Sequence, residues 1–251
     1  MSTITSRFHT GLRMAVDLLY PPCCIACNQL IHDTQQGIPV CPDCQLDLVE
    51  SESATCCRCA ASIGDFVDST NGCLECKGKH HSFDFAVRLG TYDGLRRQLT
   101  LKSKFHSATH IGTALSCLFW KQQQETLKSW KPDWVIPMPW HWTRRIQKRI
   151  NPADLLAREL AQRLRIRCPR RILKRSQNTI SQSLLPLSRR RDNVRNTFHV
   201  RSWKPLKESR VLLVDDILTT GSTCSEAARV LKQKGVRSVF VAVLCRSEKK
   251  R

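Results

Sequence analysis

The chain has 251 residues, enough for one or two domains, and its 41% hydrophobic content supports a buried core that disordered or fibrous chains lack. No run of eighteen apolar residues occurs, which excludes a transmembrane helix and predicts no membrane insertion. The net charge of +20 is unevenly placed: residues 1–80 hold 5 Lys+Arg against 9 Asp+Glu, and residues 81–251 hold 36 against 12. Cysteine is skewed the other way, with 10 of 14 before residue 77. Two compositions in one chain predict two domains, residues 1–80 and residues 84–251, joined near Lys79–Asp84. The basic half calls for an anionic partner, either a phosphorylated small molecule or a nucleic acid.

Met1–Tyr20 lacks the charged, apolar and small-residue regions of a secretory signal and reads as a short amphipathic helix, so a cytoplasmic chain is expected. Four C-x2-C pairs follow: Cys24/Cys27, Cys41/Cys44, Cys56/Cys59 and Cys73/Cys76. The last two pairs repeat the first two after a shift of 32 residues, so each half reads C-x2-C-x13-C-x2-C. Two residues between cysteines let a tight turn aim both thiolates at one tetrahedral ion, and two such knuckles complete a four-cysteine zinc site. Sequential pairing gives Cys24, Cys27, Cys41 and Cys44 on one zinc and Cys56, Cys59, Cys73 and Cys76 on another. An interleaved cross-brace, disulfides and iron–sulfur ligation are the alternatives. One or two zinc ions would be structural, replacing a core that this aliphatic-poor segment lacks. Cys23 and Cys57 read as passengers.

Beyond the knuckles, one helix carrying Leu95, Leu99 and Leu115 is expected to supply core. Trp134–Met138 reads as a strand, and Asn151 with Pro152 as the N-cap and first residue of a helix with Leu156, Leu160 and Leu164 at every fourth position. Between them, Arg144, Arg145, Lys148 and Arg149 point cations at a helix N-terminus, which suits pyrophosphate. A solvated basic surface is the bland alternative. Trp140-His141-Trp142 can stack a base but suits packing better. Residues 144–201 hold 17 Lys+Arg against 3 Asp+Glu, more than one pyrophosphate requires, so single-stranded nucleic acid is a second candidate partner. Cys117, Cys168, Cys224 and Cys245 read as small buried hydrophobes.

Near the end, Val211–Val214 is a strand apolar on both faces, Ser222–Lys234 a helix stopped by Gly235, and Val236–Leu244 another apolar strand. This strand–loop–helix–strand unit belongs to a parallel sheet with ligands at the carboxyl ends of its strands. Thr219, Thr220, Gly221, Ser222 and Thr223 put hydroxyls and a glycine at a helix N-terminus, which makes a phosphate site. Asp215 and Asp216 leave the strand where an attached sugar would lie, and suit a ribose diol with a magnesium ion.

Val211–Thr223 resembles the 5-phosphoribosyl-1-pyrophosphate (PRPP) motif of type I phosphoribosyltransferases. With the knuckles in front, the chain resembles the ComF family (ComFC) over nearly its whole length: competence-associated proteins with an N-terminal zinc module and a phosphoribosyltransferase-like domain. Tyr92-Asp-Gly-Leu and Lys104-Phe105 are similar to further family elements. So are Arg175, Gln182, Leu184, Arg191, Asn193 and Phe198, in a region that forms a mobile, closing loop in phosphoribosyltransferases. The family's Arg-Gly-Phe-Asn-Gln reads Arg149-Ile-Asn-Pro152 here, without the glycine.

The resemblance implies an α/β fold, a type I phosphoribosyltransferase-like parallel sheet behind a small double zinc-ribbon-like module. It places Asp215 and Asp216 on the ribose hydroxyls and Thr219–Thr223 around the 5-phosphate. If transfer occurs, magnesium and Arg144, Arg145 and Arg149 would stabilise the departing pyrophosphate. Thr219 stands where the hypoxanthine–guanine branch has an aspartate, so no carboxylate base acts from there. The expected role is PRPP binding in DNA uptake, with single-stranded DNA and the uptake machinery as further partners. A nucleotide-salvage transferase without a DNA role, and a DNA-binding module that no longer catalyses transfer, are the alternatives.

Overall fold

Four apolar segments pair into one parallel sheet in a computed structural model, which describes residues 21–31, 38–49, 55–64, 67–140, 150–175, 197–201 and 206–248. In chain order the elements are α1 (Pro42–Leu48), β1 (Phe85–Thr91), α2 (Gly94–Lys102), a 3-10 turn at His106–Ala108 and α3 (Thr109–Trp130). Then come β2 (Trp134–Pro137), α4 (Pro152–Leu164), β3 (Leu173–Arg175), β4 (Phe198–Val200), β5 (Arg210–Leu218), α5 (Ser222–Gln233) and β6 (Ser238–Arg246). The chain divides into two compact units, Met1–Asp47 and Leu48–Arg251. The compositional join at residues 80–84 falls inside the second, which holds both the sheet and the Cys56–Cys76 knuckles.

The sheet order is β1-β6-β5-β2, with every neighbouring pair parallel. Inner strands of such a sheet are covered on both faces, so they need apolar side chains at successive positions. Val211–Val214 and Val239–Val243 supply them, and all but Phe240 of these nine are fully buried. Each such side chain contributes about 1.5–3 kcal/mol on burial. Val211, Leu213, Val241 and Val243 share one core cluster with Ala227, Ala228 and Leu231 of α5 and with Phe198 of the small antiparallel β3–β4 ladder. Ala60, from the knuckle turn, and Phe83 belong to the same cluster. Helices α3 and α4 pack on each other, and α4 packs on β2 and β5.

Local chemistry sets the helix ends. Asn151 Oδ1 accepts from the Ala153 amide at 3.2 Å while Nδ2 donates to the Met138 carbonyl at 2.9 Å. The N-cap thus also fastens the start of α4 to the end of β2. Gly235, at a φ of 87°, ends α5 in the left-handed region that glycine enters freely.

The helix before β2 and the strands β2, β5 and β6 differ from expectation, β6 running Ser238–Arg246 where Val236–Leu244 was expected. The single helix expected across Leu95–Leu115 is two helices, broken after Lys102. Ser103 Oγ donates to the Thr100 carbonyl at 2.8 Å, an alternative to continuing the helical ladder, and Lys104 is released from both helices. Strand β5 runs past Val214 to Leu218 because β6 keeps offering partners, with Asp215 opposite Val243 and Leu218 opposite Arg246. On its other side β2 stops at Pro137, opposite Val214. Of the scattered cysteines, Cys224 and Cys245 are buried, and Cys117 and Cys168 are half-buried. No helix among the described residues is long and apolar enough to cross a membrane.

Candidate functional site

Where β2 ends and β5 continues, the sheet edge is notched, and the notch opens into a cavity of about 460 Å3. Asp215 and Asp216 of β5 line it, followed by Thr219, Gly221 and Thr223 at the start of α5. Tyr92 and Lys104 enter from the segment after β1, Met138 and Trp140 from the end of β2, and Arg175 from β3. The half-buried Trp140 therefore faces the cavity. His141 and Trp142 lie outside the described residues.

The two acids are held differently. Asp216 Oδ2 lies 2.7 Å from Lys104 Nζ, and its Oδ1 accepts from the Ile217 amide at 3.0 Å. Burial opposes ionisation of Asp216, but the Lys104 ammonium outweighs it and holds the carboxyl below the usual carboxylate range. Asp215 Oδ1 accepts from the Asp216 amide at 2.9 Å. Burial, reinforced by the neighbouring Asp216 charge, pushes the Asp215 carboxyl well above the usual range. The two carboxyls are thus pushed in opposite directions, Asp216 toward the ionised form and Asp215 toward the protonated one, and carboxyl oxygens in either form can hydrogen-bond a vicinal diol.

The turn after β5 is open to ligand on two sides. Gly221 has a φ of 77°, and a Cβ there would stand 2.9 Å from His81 Cε1, so both the backbone and the space demand glycine. Thr220 Oγ1 lies 2.8 Å from Ser222 Oγ and 3.3 Å from the Ser222 amide, closing the turn on itself. Thr219, Gly221 and Thr223 face the large cavity, whereas Thr220 and Ser222 line a smaller one of about 230 Å3 beside His80 and His81. The first amides of a helix have no partner within it and sit at its positive end, so this turn favours an anion.

Arg144, Arg145, Lys148 and Arg149 lie outside the described residues, as do Gln182, Leu184, Arg191 and Asn193. The residues that flank the arginine segment are placed: Trp140 lines the cavity, and the Ile150 amide donates to the Lys104 carbonyl at 2.9 Å. Arg175 reaches the cavity with its guanidinium 5.8 Å from the centre of the Phe198 ring.

The eight knuckle cysteines gather into two clusters, Cys24, Cys27, Cys41 and Cys44, and Cys56, Cys59, Cys73 and Cys76, with all sulfurs of a cluster within 4.8 Å of one another. The pairing is sequential. An ion about 2.3 Å from each of four tetrahedral sulfurs spaces them about 3.8 Å apart. The separations are 3.7 Å for Cys27–Cys41, 3.9 Å for Cys56–Cys76 and 3.6 Å for Cys59–Cys73. These are far beyond a disulfide bond, and every one of these cysteines is free. Backbone amides support the sulfurs, Cys41 N to Cys24 Sγ at 3.4 Å and Cys73 N to Cys76 Sγ at 3.3 Å. Both clusters therefore fit zinc in closed, structural sites. Cys23 and Cys57 are exposed and stand outside them.

Two contributors are invisible or faint in the sequence. Lys104 was marked only by the Lys-Phe pair, and nothing local shows that it meets Asp216. Arg246 is buried, donating from Nε to the Cys59 carbonyl and from Nη1 to the Leu218 carbonyl, each at 3.1 Å. A charge closing the apolar run Val239–Cys245 was the available signal.

Comparison with known proteins agrees with this anatomy. Residues 153–251 match the phosphoribosyl transferase domain family. The chain is 31% identical over 179 residues to the DNA utilization protein YhgH of Escherichia coli O6:H1, covering 70% of this chain and 78% of that one. The chain belongs to the ComF family. Another ComF relative, Competence protein F of Haemophilus influenzae, is 29% identical over 228 residues, 89% of this chain and 96% of that protein. A purine phosphoribosyltransferase from Pyrococcus horikoshii Ot3 aligns at 19% identity and a TM-score of 0.32, over 57% of this chain and 75% of that one. With residues 153–251 matched to that domain family, the fold is a phosphoribosyltransferase-type α/β sheet accompanied by two tetracysteine clusters.

Proposed function

We propose that this ComF-family chain binds PRPP in the notch at the end of β5 and serves DNA uptake in the cytoplasm. The observation that carries this reading is one cavity wall on which the Asp215–Asp216 pair stands next to Thr219, Gly221 and Thr223 of the turn. The acids take the ribose hydroxyls and the turn takes the 5-phosphate. Arg144, Arg145 and Arg149, which fall between Trp140 and Ile150 in the sequence, are assigned to the pyrophosphate by the family resemblance. Lys104 already neutralises Asp216, so the donor set suits a magnesium ion held chiefly by the oxygens of PRPP itself. That ion would supply positive charge to the pyrophosphate. Transfer to an acceptor would proceed without a carboxylate at Thr219, by charge placement alone. The names carried by the relatives, competence and DNA utilization, support the cellular role.

Calorimetry with PRPP and magnesium tests the site. Wild-type protein should bind, and Asp215→Asn with Asp216→Asn should abolish binding while the zinc content stays unchanged. Unaltered affinity in that variant overturns the assignment.

A specific surface favours a single-stranded DNA contact alongside PRPP. From the end of α4 into β3, Arg165, Arg167, Arg171 and Lys174 are exposed, and the run leads to Arg175 at the cavity. Binding to a single strand should weaken steeply with salt and with neutralisation of these residues or of Arg189, Arg190 and Arg191. Absence of binding at low salt removes the DNA contact and leaves a salvage-type transferase.

A further inference from the structure

The phosphate turn is fastened from behind to the second tetracysteine cluster. Arg246, 6% exposed, bonds the carbonyl of Cys59, a member of that cluster, and the carbonyls of Leu218 and Thr219, which open the turn. In a trans peptide the carbonyl and the following amide point in opposite directions. Holding the Leu218 and Thr219 oxygens on one guanidinium therefore turns the Thr219 and Thr220 amides away from it. The same cation lies behind the turn and raises the potential felt by an anion in front.

A second attachment comes from the chain that leaves Cys76. His81 lies against Gly221 and stacks on Phe83 at 4.7 Å, and the Ser82 amide donates to Ser225 Oγ, in the first turn of α5, at 2.9 Å. The knuckle ribbon is itself anchored to β1. The Ala86 amide donates to the Cys57 carbonyl at 2.9 Å, and buried Arg88 bonds Ser62 Oγ at 2.6 Å and Glu248 at 2.5 Å. Cluster, arginine and turn thus form one hydrogen-bonded chain within a single compact unit, while the first cluster belongs to the other unit.

We propose that Arg246 is a positioning residue through which the second tetracysteine cluster, rather than the first, sets the affinity of the turn for a sugar phosphate. This rests on reading the turn as a phosphate site. The sulfurs fix the Cys59 backbone when they share an ion, and Arg246 passes that fixed position to Leu218 and Thr219. Releasing the ion from this cluster frees the carbonyl that holds the arginine, and the turn loses its backing.

The test uses the full, zinc-loaded chain with two readings: calorimetry with ribose 5-phosphate, and amide hydrogen exchange across residues 218–223. Arg246→Lys keeps the charge but cannot bridge three carbonyls, so affinity should fall on the order of tenfold. Exchange in the turn should speed up while the β5–β6 amides before Asp215 stay protected. Cys73→Ser with Cys76→Ser should reproduce both changes, and Cys41→Ser with Cys44→Ser should reproduce neither. Arg246→Met, which fills the space without donors, should leave the turn exchanging fast, and added guanidinium should restore its protection in Arg246→Ala. Wild-type protein that binds no ribose 5-phosphate refutes the phosphate site. Wild-type binding with equal loss from either cysteine pair, or a turn indifferent to Arg246→Lys, refutes the linkage alone.

Discussion

Replacing Lys104 with methionine asks whether charge pairing holds the acidic pair inside the fold. Lys104 Nζ is 2.7 Å from Asp216 Oδ2, and the two side chains are only 21% and 12% exposed, so water screens them far less than a surface pair. Unit charges about 4 Å apart attract by about 4 kcal/mol at an effective dielectric near 20. Removing one partner of a buried pair costs about 3–5 kcal/mol, and the open cavity mouth brings the expectation here to about 2–3 kcal/mol. Methionine keeps the stem of the side chain, so the loss is mainly charge. For a domain of this size the melting temperature should drop by about 5–10 °C near neutral pH.

The pH dependence gives the sharper reading. Asp216 has a depressed native pKa, so its pairing contributes fully above the unfolded carboxylate range and is lost as pH falls through the lower native value. Without Lys104, Asp216 loses its counter-charge beside Asp215 and takes up a proton at higher pH than in the wild type, so the variant's native state binds more protons than the wild type's. The deficit of Lys104→Met should therefore shrink as pH falls from about 7.5 to about 5. Adding Asp216→Asn to Lys104→Met should recover most of the stability. Thermal melts across that range provide the assay. A deficit equal at both ends, and untouched by Asp216→Asn, would show that the lysine stem acts by packing and that the electrostatic account is wrong.

Other outcomes follow from the same anatomy. Elemental analysis should give about two zinc ions per chain, and about one for Cys56→Ser with Cys59→Ser, since each cluster is closed by its own four sulfurs. Asn151→Ala should lose about 1 kcal/mol, read as a melting-temperature drop of about 2–4 °C, because the cap and the tie to Met138 disappear together. Gly221→Ala should cost about 1–2 kcal/mol in denaturant unfolding, from the left-handed φ and the contact with His81. It should weaken PRPP binding out of proportion to that loss, because the strain falls within the turn.

Legibility in the sequence followed the range of the interactions involved. The β5–α5–β6 unit reads directly because its strands are covered on both faces and Gly235 marks the stop. The cysteine repeat likewise carries its own pairing, since each half supplies four sulfurs. Strand β1 was missed because Arg88 and Gly90 interrupt its apolar run. Arg88 is tolerated there only because Ser62 and Glu248 satisfy its charge from distant positions. The same limit hid Lys104, whose partner lies on another strand, and Arg246, whose partners are carbonyls that no side-chain pattern can reveal. The break at Ser103 was masked by leucines that serve two helices as readily as one. In the site, the acids and the turn were visible as a string, but their division between two cavities depends on which way each backbone bond points.

The bonds joining the knuckle ribbon to the sheet have a consequence for biosynthesis. Ser62 and Glu248 are 186 residues apart, and Cys59 and Arg246 are 187 apart, so the ribbon leaves the ribosome long before its anchors are made. At about 5–20 residues per second that interval lasts about 10–40 s. Throughout it, the four thiols, with only 20 residues from Cys56 to Cys76, can close on an ion but have no β6 to lean on. Whatever holds those four sulfurs together in that interval must act within Cys56–Cys76 alone, before any contact with the sheet can help.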